Sequence, residues 1–240
     1  MSGHSKWKNI MHKKEKTDAQ KAKVFTKIGK EMAVAVKESG PDPVSNTKLA
    51  ALIAKAKSLN VPNDNIDRII KKASAADAAD YEEITYEGYG PAGVAVIVQA
   101  TTDSRNRTAG NVRHYFDKFG GNLGTNGCVS FMFDDKGLIV IEKEDVDEDK
   151  LMEDALDCGA TDFAAEDDVF EIYTEVDDVD AVAAELVKRG YTYVSAEADK
   201  IPQSYVTITD EDAITNMNKL IDAFDDDDDI TAFFHNWDEN

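Results

Sequence analysis

The chain has 240 residues and lacks most features that announce a chemistry. No apolar run approaches the ~18–20 residues that cross a bilayer, which excludes a membrane-spanning helix. Two cysteines, Cys128 and Cys158, are too few for a disulfide scaffold and lack metal-ligand spacing, so a reducing cytoplasm is the default. The leader MSGHSKWKNIMHKK is basic but has no apolar h-region of a signal peptide and no arginine of a mitochondrial transit peptide. His4, His12, His114 and His235 pair with no second His, Cys or acid at a metal-site spacing. There is no GxSxG or comparable nucleophile context, and no carboxylate pair stands out as a buried acid and base. The sequence therefore reads as a non-enzyme with no metal, no cofactor and no small-molecule substrate.

What the chain has in excess is acid, with 48 Asp and Glu against 27 Lys and Arg and a net charge of −21. Taken as a sum, that figure argues against a nucleic-acid partner. Its distribution argues otherwise. Residues 1–80 carry 16 basic and 9 acidic side chains, a net of +7. Residues 81–133 are near neutral at −1, whereas residues 134–204 and 205–240 carry −17 and −10. Screening is strong beyond about 8–10 Å at cellular salt, so a polyanion responds to the local field of the basic head.

Periodicity divides the chain in the same places. Ala22, Phe25, Ile28, Met32 and Val36 recur at helical spacing and predict a helix over 18–37, stopped by Ser39-Gly40-Pro41. A second helix follows, with Asn46 as cap and Leu49, Leu52, Ile53, Ala56 and Leu59 on one face; Pro62 breaks it. Asp64 is a candidate cap for a third. The alanine-rich stretch 73–80 reads as a linker. Strand patterns then appear at 94–100, 129–133, 138–141, 161–164, 169–174, 191–196, 205–208 and 230–234, with helices near 106–119, 151–156, 179–187 and 213–224. The expected fold class is α+β: an N-terminal three-helix bundle followed by two ferredoxin-like α/β domains, one inserted in the other. The expected domains are a basic helical domain, 1–80, with a flexible arm; an α/β domain of 81–133 plus 205–240; and an acidic inserted domain, 134–204. Two sequential α/β domains without insertion are the alternative.

Gly88-Tyr-Gly90-Pro-Ala-Gly93 has the spacing of a dinucleotide-binding loop, but a strand pattern follows it where that loop needs a helix, and Pro91 removes an amide. A tight turn is the better reading. Asp225 to Asp229 read as an exposed, self-repelling loop rather than a cation site. Two basic places carry more chemistry. Lys6 and Lys8 flank Trp7, followed by Lys13, Lys14 and Lys16: cations for phosphate and an indole for stacking on a base. Alternatively, Trp7 merely anchors the leader. Thr102 to Thr108 (TDSRNRT) places Arg105 and Arg107 in the first turn of a helix, where they oppose the dipole and offer a phosphate corner. An ion pair with the acidic inserted domain is the competing reading.

The stretches GHSKWKNI (3–10), KVFTK (23–27), NVPNDNIDR (60–68), YEGYGPAGVAV (86–96), TDSRNRT (102–108) and GGNLG (120–124) together resemble the YebC/PmpR family, which includes the mitochondrial translational activator of cytochrome oxidase subunit I. The resemblance implies three domains, the last inserted in the second, and a DNA-binding transcriptional regulator. Alternatively, it implies a ribosome-associated translation factor that binds structured RNA and relieves stalling at proline-rich stretches. An acidic protein-interaction adaptor is a further alternative. A start directly at the GHSKW motif suggests a bacterial, cytoplasmic member. The candidate nucleic-acid-binding residues are Lys6, Trp7, Lys8, Lys13, Lys14 and Lys16 on the arm, Lys23, Lys27 and Lys30 at helical spacing, and Arg105 with Arg107. DNA or ribosomal RNA is the expected partner, with contacts to backbone and shape rather than base edges.

Overall fold

The computed structural model describes residues 18–75 and 78–238. Three helices come first: α1 (Asp18–Ser39), α2 (Thr47–Ser58) and α3 (Asn63–Ala73). In chain order there follow β1 (Glu82–Tyr89), β2 (Ala95–Thr102), α4 (Arg105–Lys118), β3 (Asn122–Leu123), β4 (Phe133–Glu142), α5 (Glu148–Asp157), β5 (Asp162–Ala165) and β6 (Val169–Thr174). The chain continues with α6 (Val179–Lys188), β7 (Ser195–Pro202), β8 (Val206–Thr207), α7 (Glu211–Asp226), β9 (Ile230–His235) and β10 (Trp237–Asp238). The class is α+β, with helices first and antiparallel sheets after them. Among the described residues, one compact unit comprises 18–130 and 209–235, and the other 131–208 and 236–238.

In the first unit, α1 to α3 bury Ile28, Met32, Leu49, Ala56 and Ile66 against one another. Asn46 caps α2 as expected: its Oδ1 accepts from the Leu49 amide at 3.0 Å. Its Nδ2 also donates to the carbonyls of Ala35 and Gly40, so the same buried side chain ties the end of α1 to the start of α2. Asp64 does not cap α3. Pro62 occupies the cap position without a side-chain bond, and Asp64 lies in the first turn, where its charge favours the helix dipole.

The sheet of this unit runs β3-β1-β2-β9, every pair antiparallel. Strand β2 is buried at every position but Gln99 and is packed by both α1 and α4. Its neighbour β1 is absent from the sequence expectation because Glu82 to Tyr89 holds little apolar alternation. The run Val129 to Phe133 is the converse case, apolar but not a strand of this sheet. Buried Glu87 explains why: its Oε1 accepts from the Gly127 amide at 2.8 Å, and its Oε2 from the Val129 and Ser130 amides at 2.9 and 2.8 Å. Amides bound to a carboxylate cannot join a ladder, and Ser130–Met132 forms a 3₁₀ turn before β4 begins. Burial pushes the Glu87 carboxyl up, but these three amides outweigh it and hold the group below its ordinary range. Gly88 is required for a different reason. A Cβ there would stand 2.5 Å from the Asn122 carbonyl oxygen of the neighbouring strand β3. The glycine pattern thus serves a hairpin, which closes through a Pro91–Gly93 turn and the Gly90 amide bonded to the Val94 carbonyl at 2.8 Å.

The second unit runs β4-α5-β5-β6-α6-β7, with spatial order β5-β6-β4-β7 and every pair antiparallel. Helices α5 and α6 cover one face through Leu151, Val182 and Leu186, packed on Ile139, Phe170 and Ile172. The strand expected at 191–196 begins later, at Ser195. Tyr191 instead turns its hydroxyl onto Asp154 at 2.6 Å, where Arg189 also binds, and burial together with that carboxylate pushes the phenol up to about 12. The expected strand at 205–208 is reduced to β8, which pairs in parallel with β10.

Replacing Glu87 with Ala should destabilise the protein by about 3 kcal/mol, because three amides around position 128 lose one acceptor together. Gln, which keeps one acceptor oxygen, should cost less. Urea denaturation of both variants against the wild type checks the order.

Candidate nucleic-acid interface

Lys23, Lys27 and Lys30 recur at helical spacing on α1 and share one face. Across from that face, α7 ends inside the run Asp225 to Asp229. A helix C-terminus leaves carbonyls without intrahelical donors and carries partial negative charge, to which five successive carboxylates add. The lysines meet both sources of charge. Lys23 Nζ bonds Asp226 Oδ1 at 2.7 Å, and Lys27 Nζ donates to the Asp225 and Phe224 carbonyls at 2.8 and 3.4 Å. Lys30 Nζ donates to the Asp228 carbonyl at 2.9 Å and to Asp229 Oδ1 at 2.6 Å.

Asp229 is the centre of the arrangement. Its carboxylate is buried, and its backbone carbonyl accepts from the Thr101 amide of β2 at 2.8 Å. Oδ2 accepts from Arg107 Nη2 and Thr108 Oγ1 at 2.7 and 2.8 Å, with the Thr102 hydroxyl at 3.3 Å. Burial pushes this carboxyl up, but hydrogen bonds from Lys30, Arg107 and Thr108 outweigh it and hold the pKa at about 2. Asp227 takes the Tyr115 hydroxyl at 3.0 Å and Asn111 Nδ2 at 3.2 Å. The reading of this run as an exposed, self-repelling loop therefore holds for Asp226 and Asp228, which are exposed, and fails for Asp229, which is buried, and in part for Asp225 and Asp227, which are half-buried. Lys23, Lys30 and Arg107 offset part of its charge, and neutral hydroxyl and amide donors satisfy further carboxylate oxygens.

The two arginines stand in the first turn of α4, as their spacing suggests. Arg105 donates to Glu82 Oε2 through Nη2 at 2.9 Å, and Arg107 adds Asp103 at 2.8 Å to its bond with Asp229. These acidic partners, at 82, 103 and 229, lie outside the inserted acidic segment. Lys6, Trp7, Lys8, Lys13, Lys14 and Lys16 lie outside the described residues.

With these cations committed, the exposed positive charge of the bundle lies elsewhere. Lys57 on α2 and Arg68, Lys71 and Lys72 on α3 are exposed, and among the described residues none meets a carboxylate within ion-pair distance. The sequence reading missed all four. The signal was present in the pairing of Arg68 with Lys72 one turn apart, but the longer lysine series on α1 outweighed it. No group of three His, Cys, Asp or Glu among the described residues is arranged to hold a metal. His235 is buried in β9, and burial holds its imidazole down at about 4, so it is neutral at pH 7. Among the described residues no helix is long and apolar enough to cross a membrane.

A three-helix bundle that exposes cations, followed by antiparallel sheets covered by helices, is the form the described residues take. Comparison with known proteins narrows this. Residues 5–76 match the family described as the TACO1/YebC protein N-terminal domain, and residues 81–237 match the TACO1/YebC second and third domain. A protein of Acetivibrio thermocellus is 62% identical over 239 residues, covering 99% of each chain, and one of Agathobacter rectalis is 59% identical over 242 residues, covering 100% of each. Both carry the name probable transcriptional regulatory protein. The crystal structure of a conserved hypothetical protein from Aquifex aeolicus superposes with a TM-score of 0.83 at 42% identity, covering 93% of this chain and 92% of that one. The chain belongs to the TACO1/YebC family.

Replacing Asp229 with Ala should cost about 3 kcal/mol, since it strips a buried acceptor from Lys30, Arg107 and Thr108. The depressed pKa also sets an acid window. Its contribution, about 2 kcal/mol, is complete above the unfolded value near 4 and is lost as pH falls toward 2. Asp229→Asn should flatten the stability profile across that window. Chemical denaturation at stepped pH checks both.

Proposed function

We propose that this protein is a non-enzymatic, nucleic-acid-binding regulator of gene expression, of the transcriptional kind its relatives' names describe, acting on DNA in the cytoplasm. The observation that carries the reading is the set of exposed cations on the helical bundle that meet no carboxylate among the described residues: Lys57, Arg68, Lys71 and Lys72. A chain of net charge −21 that keeps such a patch on its one basic segment has a polyanion as the natural counterpart. The arm residues Lys6, Trp7, Lys8, Lys13, Lys14 and Lys16 belong to the same basic segment of the sequence, and they have the composition of a segment that orders along phosphates.

In this reading the domains are 1–80, which binds, then 81–133 with 205–240, which carries the bundle, and 134–204, which is acidic and turned to other work. Lys23, Lys27 and Lys30 contribute by holding the bundle on its sheet unit, Arg105 and Arg107 by tying α4 to Glu82, Asp103 and Asp229, and their exposed portions contribute to the field. Recognition is of backbone and shape, so affinity follows salt more than sequence. The acidic segment suppresses nonspecific coating of nucleic acid, because only the head is attracted.

Binding of a DNA duplex, followed by fluorescence anisotropy at stepped salt, should give log K falling linearly with log salt. Substituting Lys6, Lys8, Lys13 and Lys14 with Ala should reduce the slope by about one for each phosphate that is no longer neutralised, as should Lys57→Ala with Lys71→Ala. Slopes unchanged in both variants would contradict the reading.

A further inference from the structure

Helices α1 and α3 leave a groove of about 380 Å³ between them, within the range of small-ligand sites. Among the described residues, the thirteen that line it include Lys30, Arg68 and Lys72 and not one carboxylate. In a chain with 48 acidic residues against 27 basic ones, a lining of that composition favours an anion. Small side chains, Gly29, Ala33 and Ala73, keep the floor open, and a Cβ at position 29 would press on Ile69 at 3.3 Å. Phe25 and Tyr81 line the groove and are each half-buried, so part of each ring remains accessible.

We propose that this groove is a binding site for one unpaired nucleotide, with its base against Phe25 and Tyr81 and its phosphate on Arg68 and Lys72. The inference rests on the nucleic-acid reading above and names what that surface takes. Arg68 and Lys72 stand one turn apart on α3, with Asn65 one turn before, and the Arg68 guanidinium donates to the Asn65 side-chain oxygen. A guanidinium fork beside a compact ammonium suits a phosphate better than either alone. Lysines near the end of α3 also favour the helix dipole, but that accounts for neither Arg68 nor the absence of acids among the described lining residues. Lys30 is already held by Asp229 and lies 5.9 Å from the centroid of the Tyr81 ring, so the contact that offsets Asp229 also steadies one wall of the groove. The apolar floor selects the unpaired state. A stacked, paired base presents only its edges, whereas a base out of the stack offers a face to aromatic and aliphatic side chains.

The test uses the full chain and four labelled probes of equal phosphate number: a hairpin with an unpaired loop and a blunt duplex, each as DNA and as RNA. The wild type should prefer the looped probe of at least one sugar by about tenfold, the worth of one stacked base. Ala33→Phe, which fills the groove, should remove that preference while leaving duplex affinity unchanged. The exposed double variant Arg68→Ala with Lys72→Ala should reduce loop binding more than duplex binding, and it keeps the test alive should the filled groove fail to fold in a thermal melt. Equal affinity of the wild type for looped and blunt probes would overturn the groove site while leaving the nucleic-acid reading intact, as would a preference that survives in the folded variants. Failure to bind any of the four probes would overturn both.

Discussion

A carboxylate withdrawn from water must be surrounded by donors, and Asp229 imposes that requirement on the unit around it. It sits at the last position before β9, so its backbone is committed to the sheet through the Thr101 amide while its side chain faces away from solvent. Lys30 must come from α1, and Arg107 and Thr108 from α4, to satisfy it. One residue thereby fixes how the first helix and the sheet's own helix meet the strand that closes the sheet. The neighbouring carbonyls at the end of α7 take Lys27 in the same way. Removing one partner leaves a buried charge uncompensated, which is why such a site binds its elements more strictly than a surface ion pair would.

Glu87 applies the same logic on a smaller scale. Its buried carboxylate gathers the amides of Gly127, Val129 and Ser130, and so decides that an apolar stretch becomes a turn. The glycines around it allow close strand approach rather than the seating of a pyrophosphate. Both acids show why net charge alone is a poor guide here. Part of the acidic excess is internal wiring, consumed by cations and amides of the same unit, and what faces solvent is the remainder. On the helical bundle that remainder is positive, and it lies on α2 and α3 rather than on the lysine series of α1.

Much of the architecture was legible wherever local signals were strong and self-sufficient. The cap at Asn46, the helical spacing of α1, the continuous apolar run of β2 and the β-branched stretch 169–174 each depend on neighbours in sequence, and each has its element where expected. Strand β1 was not legible, because its stability comes from β2 and β3 on either side and not from its own alternation. Tyr191 shows the opposite error: apolar residues before Ser195 look like strand but serve as packing and as a hydroxyl donor to Asp154. Of the candidate site, the basic residue types and the helix-start position of Arg105 and Arg107 were readable. Their partners were not.

The sequence by itself determined the α+β class, the family, and the placement of positive charge in the first 80 residues, because these follow from local periodicity, from several motifs in register and from composition. Only the tertiary structure decided which of those cations are tied to carboxylates and carbonyls of the same unit and which stay exposed. Lys23, Lys27 and Lys30 lie 203, 198 and 199 residues from the aspartates they meet, and no local rule connects them. The pairing exists because the chain returns β9 to the edge of β2 and carries Asp229 with it. Electrostatic neutralisation depends on distance in space, and that quantity comes into being only when the fold closes.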